Sequence, residues 1–214
     1  NFAVENNFVD YASNLIDENI KKADIVFLCT PVLQIVPMVE KILPYLKPDA
    51  ILTDVGSTKG FIWSKLKQIL PHDIDYVAGH PMTGSEQSGI KAANAELFRN
   101  KGYILIPQTA KKEKSVKLVN ELLKVTGANI TTMGIEEHDA VAAVISHVPH
   151  VVAAGLVNIL GSAETDVDNK LKLAGGGFKD TTRIASSNSD MWADICISNA
   201  DNIIIELEKL QTEI

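Results

Sequence analysis

Several things are scarce in this sequence, and each scarcity narrows what it can be. Only two cysteines occur in 214 residues, Cys29 in an apolar run and Cys196 in a mostly apolar helical pattern, with no C-x-x-C or zinc spacing. That excludes a disulfide framework and a cysteine metal centre, and it predicts two buried free thiols in a reducing compartment. Basic residues are outnumbered, 20 Lys and Arg against 27 Asp and Glu, for a formal net charge of -7. No Lys/Arg cluster offsets this, so no nucleic-acid partner is expected, because affinity for a phosphate backbone rests on clustered positive charge. Uninterrupted apolar runs are short; Val151 to Val157, broken by Gly155, falls far below the ~20 residues that span a bilayer. No membrane segment or signal peptide is expected, and a cytoplasmic location follows.

Also missing is the strand, G-x-G-x-x-G turn and helix that open a dinucleotide-binding unit of ~30 residues. The chain starts at Asn1 inside a helical pattern, so the opening strand, glycine turn and second strand are expected to lie outside it. Gly175-Gly176-Gly177 follows a helical pattern and not a strand, and reads as a helix C-cap and loop. Gly56-Ser57-Thr58-Lys59-Gly60 has the composition of a phosphate loop without its first glycine or its Gly-Lys-Ser/Thr order, which argues against a nucleotide triphosphatase.

What is present falls into two halves. Over residues 1–134, short β-branched runs alternate with helical patterns, the signature of an α/β domain with a mostly parallel sheet. Strands are predicted near Asp24 to Thr30, Ile51 to Val55, Tyr76 to Ala78, Tyr103 to Ile106 and Asn129 to Met133. Helices are predicted up to about Leu46 with Pro37 in the first turn, from Thr58 to Leu70 before Pro71, and from Lys112 to Thr126 before Gly127. Over residues 135–214 the β-rich runs disappear and an all-helical domain is expected. Glu136 to Leu160 reads as one long helix, apolar nearly all round and interrupted at Pro149, of the kind buried against other helices or a second subunit. A homodimer is the economical inference. From about Asp190 to Ile214, Ile195, Ile203, Leu207 and Leu210 follow one amphipathic pattern that still runs where the chain stops, which suggests a cut C-terminus.

The residues able to carry chemistry cluster at strand ends. Thr30-Pro31 ends the first strand and Asp54-Val55-Gly56-Ser57 the second, at the carboxyl edge where doubly wound sheets place ligands. Helix N-caps and turn formers would use the same residue types. After the third strand, Gly79-His80-Pro81-Met82-Thr83-Gly84-Ser85-Glu86 forms a polar, glycine-broken loop, and a histidine there suits a general base. His147 and His150 share roughly one helix face around Pro149; without a third ligand at suitable spacing, metal binding is not expected, and a satisfied core histidine remains the alternative, for His147 in particular. In Asp180-Thr181-Thr182-Arg183 the arginine could clamp a carboxylate or form an ordinary surface ion pair.

Taken together, G-H-P-M-x-G-x-E-x-S-G from Gly79 to Gly89, Ser146-His147-Val148-Pro149-His150 and Asp180-Thr181-Thr182-Arg183 make the chain resemble the prephenate dehydrogenase family, from the first strand to Trp192. The resemblance implies a partial Rossmann-type NAD(P)-binding domain, lacking its N-terminal part, followed by a helical substrate-binding and dimerisation domain, with the active site in the cleft between them. It implies oxidative decarboxylation of prephenate with NAD as cofactor and NADP left open. His80 would accept the ring hydroxyl's proton and Ser57 would share that hydrogen bond. Arg183 would bind the ring carboxylate and His150 the pyruvyl side chain. Glu86, Ser85, Asp180 and Ser187 would orient or gate the substrate, Trp192 would pack beneath it, and Thr30, Pro31 and Asp54 would line the cofactor groove. Without the glycine turn, the isolated chain is expected to bind a nicotinamide cofactor poorly. Rival readings are arogenate dehydrogenase, another Rossmann-type hydroxy-acid dehydrogenase, and a non-catalytic dimerisation or regulatory module.

Overall fold

The computed structural model describes residues 2–16, 18–84, 89–162 and 167–214, and the chain divides into two compact units, Asn1–Ile135 and Glu136–Ile214. In the first unit the β-branched runs become β1 (Ile25–Leu28), β2 (Ile51–Asp54), β3 (Asp75–Pro81), β4 (Gly102–Ile106) and β5 (Asn129–Thr132). They form one sheet in the order β1-β2-β3-β4-β5. β1, β2 and β3 are mutually parallel, β3 and β4 are antiparallel, and β4 and β5 are parallel. The reversal has a local cause. After the single-turn α1 (Phe2–Glu5), helices α2 (Val32–Ile42) and α3 (Gly60–Ile69) return the chain across the sheet after β1 and β2, and α4 (Glu113–Lys124) does so after β4. Between β3 and β4 the chain has only a short 3-10 turn, Ile90–Ala92, among the described residues, so it re-enters from the edge it left.

Side chains alternate across the sheet as the pleat requires. Ile51, Val77, Tyr103 and Leu105 meet Val119 and Leu123 of α4 in one core. On β3 the neighbouring Tyr76 stacks on Trp63 of α3, with ring centroids 6.1 Å apart. Helices therefore cover both faces, as a buried parallel sheet demands. β5 opens two residues after Gly127, whose φ of +75° ends the α4 connection in the left-handed region that glycine tolerates.

Three expectations are corrected, two of them in this unit. Pro37 lies inside α2 and not in its first turn, because the helix starts at Val32, directly after Pro31 at its N-cap. Cys29 is exposed and Cys196 only half-buried, so neither is a fully buried thiol. For Cys29 the reason is position: it follows β1, which pairs with β2 on one side only among the described strands.

The second unit is helical. α5 (Ile135–Ala142) passes through a π-helical segment, Ala143–His147, into α6 (Val148–Ser162). The interruption expected at Pro149 falls just before it: the wider π turn absorbs the break, and Pro149 sits in the first turn of α6, where its missing N–H is harmless. Because the π turn joins the two helices, the run Ile135–Gly161 reaches 27 residues and is long and apolar enough to cross a membrane by length and composition. This corrects the expectation drawn from uninterrupted apolar runs alone. The run nevertheless buries His138, Asp139, His147 and His150 inside its own unit. α7 (Val167–Leu173) and α8 (Gly176–Thr182) follow, with Gly175 as the N-cap of α8, so the glycine triplet opens a helix and does not merely close one. The last segment is two helices, α9 (Ser189–Ser198) and α10 (Ala200–Glu213), and not one continuous pattern. They break at Asn199, whose backbone (φ -129°, ψ 27°) leaves the helical region and whose side chain is buried.

Candidate active site

Sheet order brings three strand ends of the first unit together. Thr30 and Pro31 follow β1, Ser57 follows β2, and His80 is the penultimate residue of β3, 8% exposed and opposite Ile104 of β4. Thr30 carries a buried hydroxyl with no hydrogen-bond partner, while Pro31 is exposed and Ser57 half-buried. A half-open carboxyl edge with an unmatched hydroxyl fits a polar ligand laid across β1 and β2, the crevice where open α/β sheets hold nucleotides.

Beneath this edge lies a buried polar network that sequence reasoning did not assemble. Asp54 and Lys59 are both 0% exposed and form a close ion pair. Asp54 Oδ1 accepts from the Tyr76 hydroxyl at 2.7 Å and the Gly79 N–H at 3.2 Å, and Oδ2 from the Gly56 N–H at 2.9 Å. Lys59 Nζ donates to the Gly79 carbonyl at 2.6 Å. Four donors converge on one carboxylate, so Asp54 has no side-chain surface left for a cofactor; it shapes the groove by holding backbone. Burial, with Asp54 as the nearby anion, pushes the phenols of Tyr76 and Tyr103 up, so both stay protonated. Glycine is required twice here. A Cβ on Gly56 would stand 2.9 Å from Asp54 Oδ2, and one on Gly79 would stand 2.9 Å from the Tyr103 ring and 3.0 Å from the Asp54 carbonyl. The signal was present in Asp54-x-Gly56-x-x-Lys59, but only the fold shows that Lys59 points inward beneath Gly79.

In the second unit, His150 stacks flat on Trp192, centroids 3.5 Å apart and planes 5° off parallel, and His147 meets the same indole edge-on at 6.1 Å. His147 Nε2, His150 Nδ1 and Trp192 Nε1 are all buried without a hydrogen-bond partner among the described residues. Burial holds the His147 imidazolium down to a pKa of about 4, against a partial opposing pull from Asp139 and a further push down from His138, and burial lowers His150 as well. Both rings are therefore read as neutral hydrogen-bonding groups. The 3-10 turn Arg183–Ser186 and α8 both pack on α6, so Asp180, Arg183 and His150 belong to one packed group of elements. Arg183 and Asp180 are exposed, and the Ser187 hydroxyl donates to the Ile184 carbonyl at 2.8 Å. Ser85 and Glu86 lie outside the described residues.

Comparison with known proteins places these observations. Residues 1–132 match the model of the prephenate dehydrogenase nucleotide-binding domain, and residues 135–214 that of the prephenate dehydrogenase dimerization domain. The prephenate dehydrogenase of Bacillus subtilis is 40% identical over 212 residues, which are 95% of this chain and 57% of that protein. Among solved structures, prephenate dehydrogenase from A. aeolicus in complex with hydroxyphenyl propionate and NAD+ superimposes with a TM-score of 0.91 at 36% identity, covering 99% of this chain and 74% of that one. Synechocystis arogenate dehydrogenase gives 0.83 at 30% identity, covering 99% and 76%. The chain thus spans little more than half the length of its Bacillus relative.

Proposed function

The chain belongs to the prephenate dehydrogenase family, and on that premise we propose that the full-length protein converts prephenate to 4-hydroxyphenylpyruvate by oxidative decarboxylation. The observation that supports this best is the placing of a histidine, His80, at the carboxyl edge of a Rossmann-type sheet, on the strand next to the one that leads into Ser57 and directly after Gly79, whose backbone a buried Asp54–Lys59 pair holds. NAD, when bound, supplies the hydride acceptor. Thr30 and Pro31 line its groove, and Asp54 holds the backbone that shapes it.

His80 takes the proton of the ring hydroxyl through its imidazole, and Ser57 shares a hydrogen bond to the same oxygen so that the proton leaves along a defined line. The C–H bond of the hydroxyl-bearing carbon and the ring's carboxylate C–C bond both break; the carboxylate leaves as carbon dioxide and its electron pair makes the ring aromatic. Arg183 clamps that ring carboxylate with its planar fork, a geometry Lys cannot match. His150, kept neutral by burial, hydrogen-bonds the pyruvyl side chain. Asp180, Ser187, Ser85 and Glu86 orient or gate the pocket, and Trp192 supports the His150 ring from below. Arogenate, which carries an amino group on the side chain, is the second reading, favoured by the likeness to the Synechocystis enzyme. Reduced-nicotinamide absorbance with prephenate and with arogenate decides between them, and inertness of both sinks the proposal.

Replacing Arg183 by glutamine is expected to raise KM for prephenate about tenfold to a hundredfold, by losing a charge-assisted bidentate contact, with a smaller change in kcat. An unchanged KM would remove Arg183 from the substrate site. The protein is also proposed to act as a homodimer through its helical unit. Val144, Ile145, Leu156, Val157 and Ile159 are exposed on the long helical run, and exposed apolar side chains of this kind are candidates for a protein–protein interface. Ile145→Glu or Ile159→Glu is expected to halve the mass seen by light scattering; a mass unchanged in both variants would refute this face as the interface.

A further inference from the structure

One buried polar group in the helical unit has no part in the reaction as proposed. His147, 1% exposed, lies in the π-helical turn, and Asn199, 4% exposed, is the residue that breaks α9 from α10. The Asn199 Nδ2 atom is 2.8 Å from the Asp139 backbone carbonyl and 3.1 Å from His147 Nδ1, while Asn199 Oδ1 accepts from Asn202 Nδ2 at 2.7 Å. This arrangement leaves little freedom in where the protons sit. A backbone carbonyl can only accept, so the Asn199 atom facing Asp139 must be the amide NH2 and not the oxygen. One of its hydrogens is spent on that carbonyl and the other points at His147 Nδ1. That ring nitrogen must therefore carry a lone pair, and the proton of the neutral imidazole must sit on Nε2. Protonating Nδ1 as well would set two donors face to face.

Nε2 is also one of three buried ring nitrogens, with those of His150 and Trp192, that have no partner among the described residues. A buried polar nitrogen left unsatisfied is costly, so three on rings packed about one indole mark a place built to meet a ligand. We infer that Asn199 is a positioning residue that fixes His147 as a neutral imidazole with its proton on Nε2, making His147 a hydrogen-bond donor to an oxygen of the bound ring acid. The π turn serves this by adding one residue to the helix just where His147 must turn toward Asn199. Around the imidazole stand Asp139 and His138 of α5, themselves joined at 2.8 Å, with Asn199 and Trp192 from α9 and the residues after it, and His150 of α6 across the indole. Only the chemistry of the ligand rests on the proposed function; the tautomer rests on geometry alone.

The test uses the full-length protein labelled with 15N in its histidine rings, with hydroxyphenyl propionate and NAD as the added probe. The His147 Nδ1 is expected at the shift of an unprotonated nitrogen and Nε2 at that of a protonated one, unchanged from about pH 8 to pH 5 because the group stays neutral across that window. Its Nε2–H resonance should move on adding the probe. A protonated Nδ1, or an Nε2–H blind to the probe, would overturn the inference. Asn199→Asp turns the facing donor into an acceptor and draws the proton to Nδ1, so Nε2 can donate only from the imidazolium. The variant's Kd for the probe is then expected to rise about tenfold from about pH 6 to pH 8, while the parent protein stays flat. Parallel pH profiles would count against the inference. His147→Gln, which can keep an N–H near the Nε2 position, should bind the probe better than His147→Asn, and the reverse order would contradict it. Failure of Asn199→Asp to fold leaves the ring-nitrogen shifts of the parent protein decisive. Absence of prephenate turnover would refute the proposed function and not the tautomer; a protonated Nδ1 in an active enzyme would sink this inference alone.

Discussion

Replacing His80 by asparagine lowers kcat for prephenate on the order of a thousandfold, with KM changed far less. Asparagine keeps a polar side chain of similar reach and can still hydrogen-bond the ring hydroxyl, but it cannot take the proton. A general base at a reacting hydroxyl contributes about 10²–10⁴ in rate, so the loss falls on the chemical step. The measurement is steady-state turnover with saturating cofactor, read as separate kcat and KM values. The control is Ser57→Ala, which removes one hydrogen bond to the same oxygen and is expected to lose about tenfold to a hundredfold. If His80→Asn kept near-parental kcat, the base would have to be sought elsewhere, and the other imidazoles at hand, His147 and His150, are held neutral by burial and lie in the helical unit.

Lys59→Met is expected to destabilise the first unit by about 3–5 kcal/mol, the range seen when one partner of a buried ion pair is removed. Methionine fills much of the lysine's volume, so the effect is electrostatic and not a cavity. It strands the Asp54 carboxylate, 0% exposed, with neutral donors only, and releases the Gly79 carbonyl that Lys59 holds at 2.6 Å. Because Gly79 precedes His80 and Gly56 precedes Ser57, the same loss loosens both residues assigned to the ring hydroxyl. Urea unfolding followed by circular dichroism checks the stability, and the double variant Asp54→Asn/Lys59→Met should recover a large part of it by removing the uncompensated charge. A shift below about 1 kcal/mol for Lys59→Met, or a double variant no better than the single, would show that the pair is not what holds the edge together.

Much of the first unit was legible because its signals are local. Runs such as Ile51 to Val55 and Tyr103 to Ile106 are short and bounded by turns, and each became a strand within a residue of where its pattern pointed, while β3 ran three residues past the expected Tyr76 to Ala78. Strand ends then identify Thr30, Ser57 and His80 by position alone. What could not be read depends on contacts between distant residues. Lys59 looked like part of a loop of phosphate-binding composition, and only the approach of β3 to β2 turns it into the buried partner of Asp54 and Gly79. Asn199 lay unmarked in a pattern that seemed continuous from Asp190 onward; its meaning comes from Asp139 and His147, sixty and fifty-two residues away. Pro37 failed as a start signal because Pro31, six residues earlier, already opens the helix. The apolar length of Ile135–Gly161 was underestimated for a related reason: a π turn can join two helical patterns that a proline separates on paper.

Product stoichiometry is the direct test of oxidative decarboxylation. The full-length protein, given prephenate and NAD, should yield reduced nicotinamide, carbon dioxide and 4-hydroxyphenylpyruvate in equimolar amounts, and all three should collapse together in His80→Asn. Hydride transfer without carbon dioxide, or no turnover of prephenate or arogenate despite demonstrated NAD binding, would contradict it and return the site to the wider class of Rossmann-type hydroxy-acid dehydrogenases.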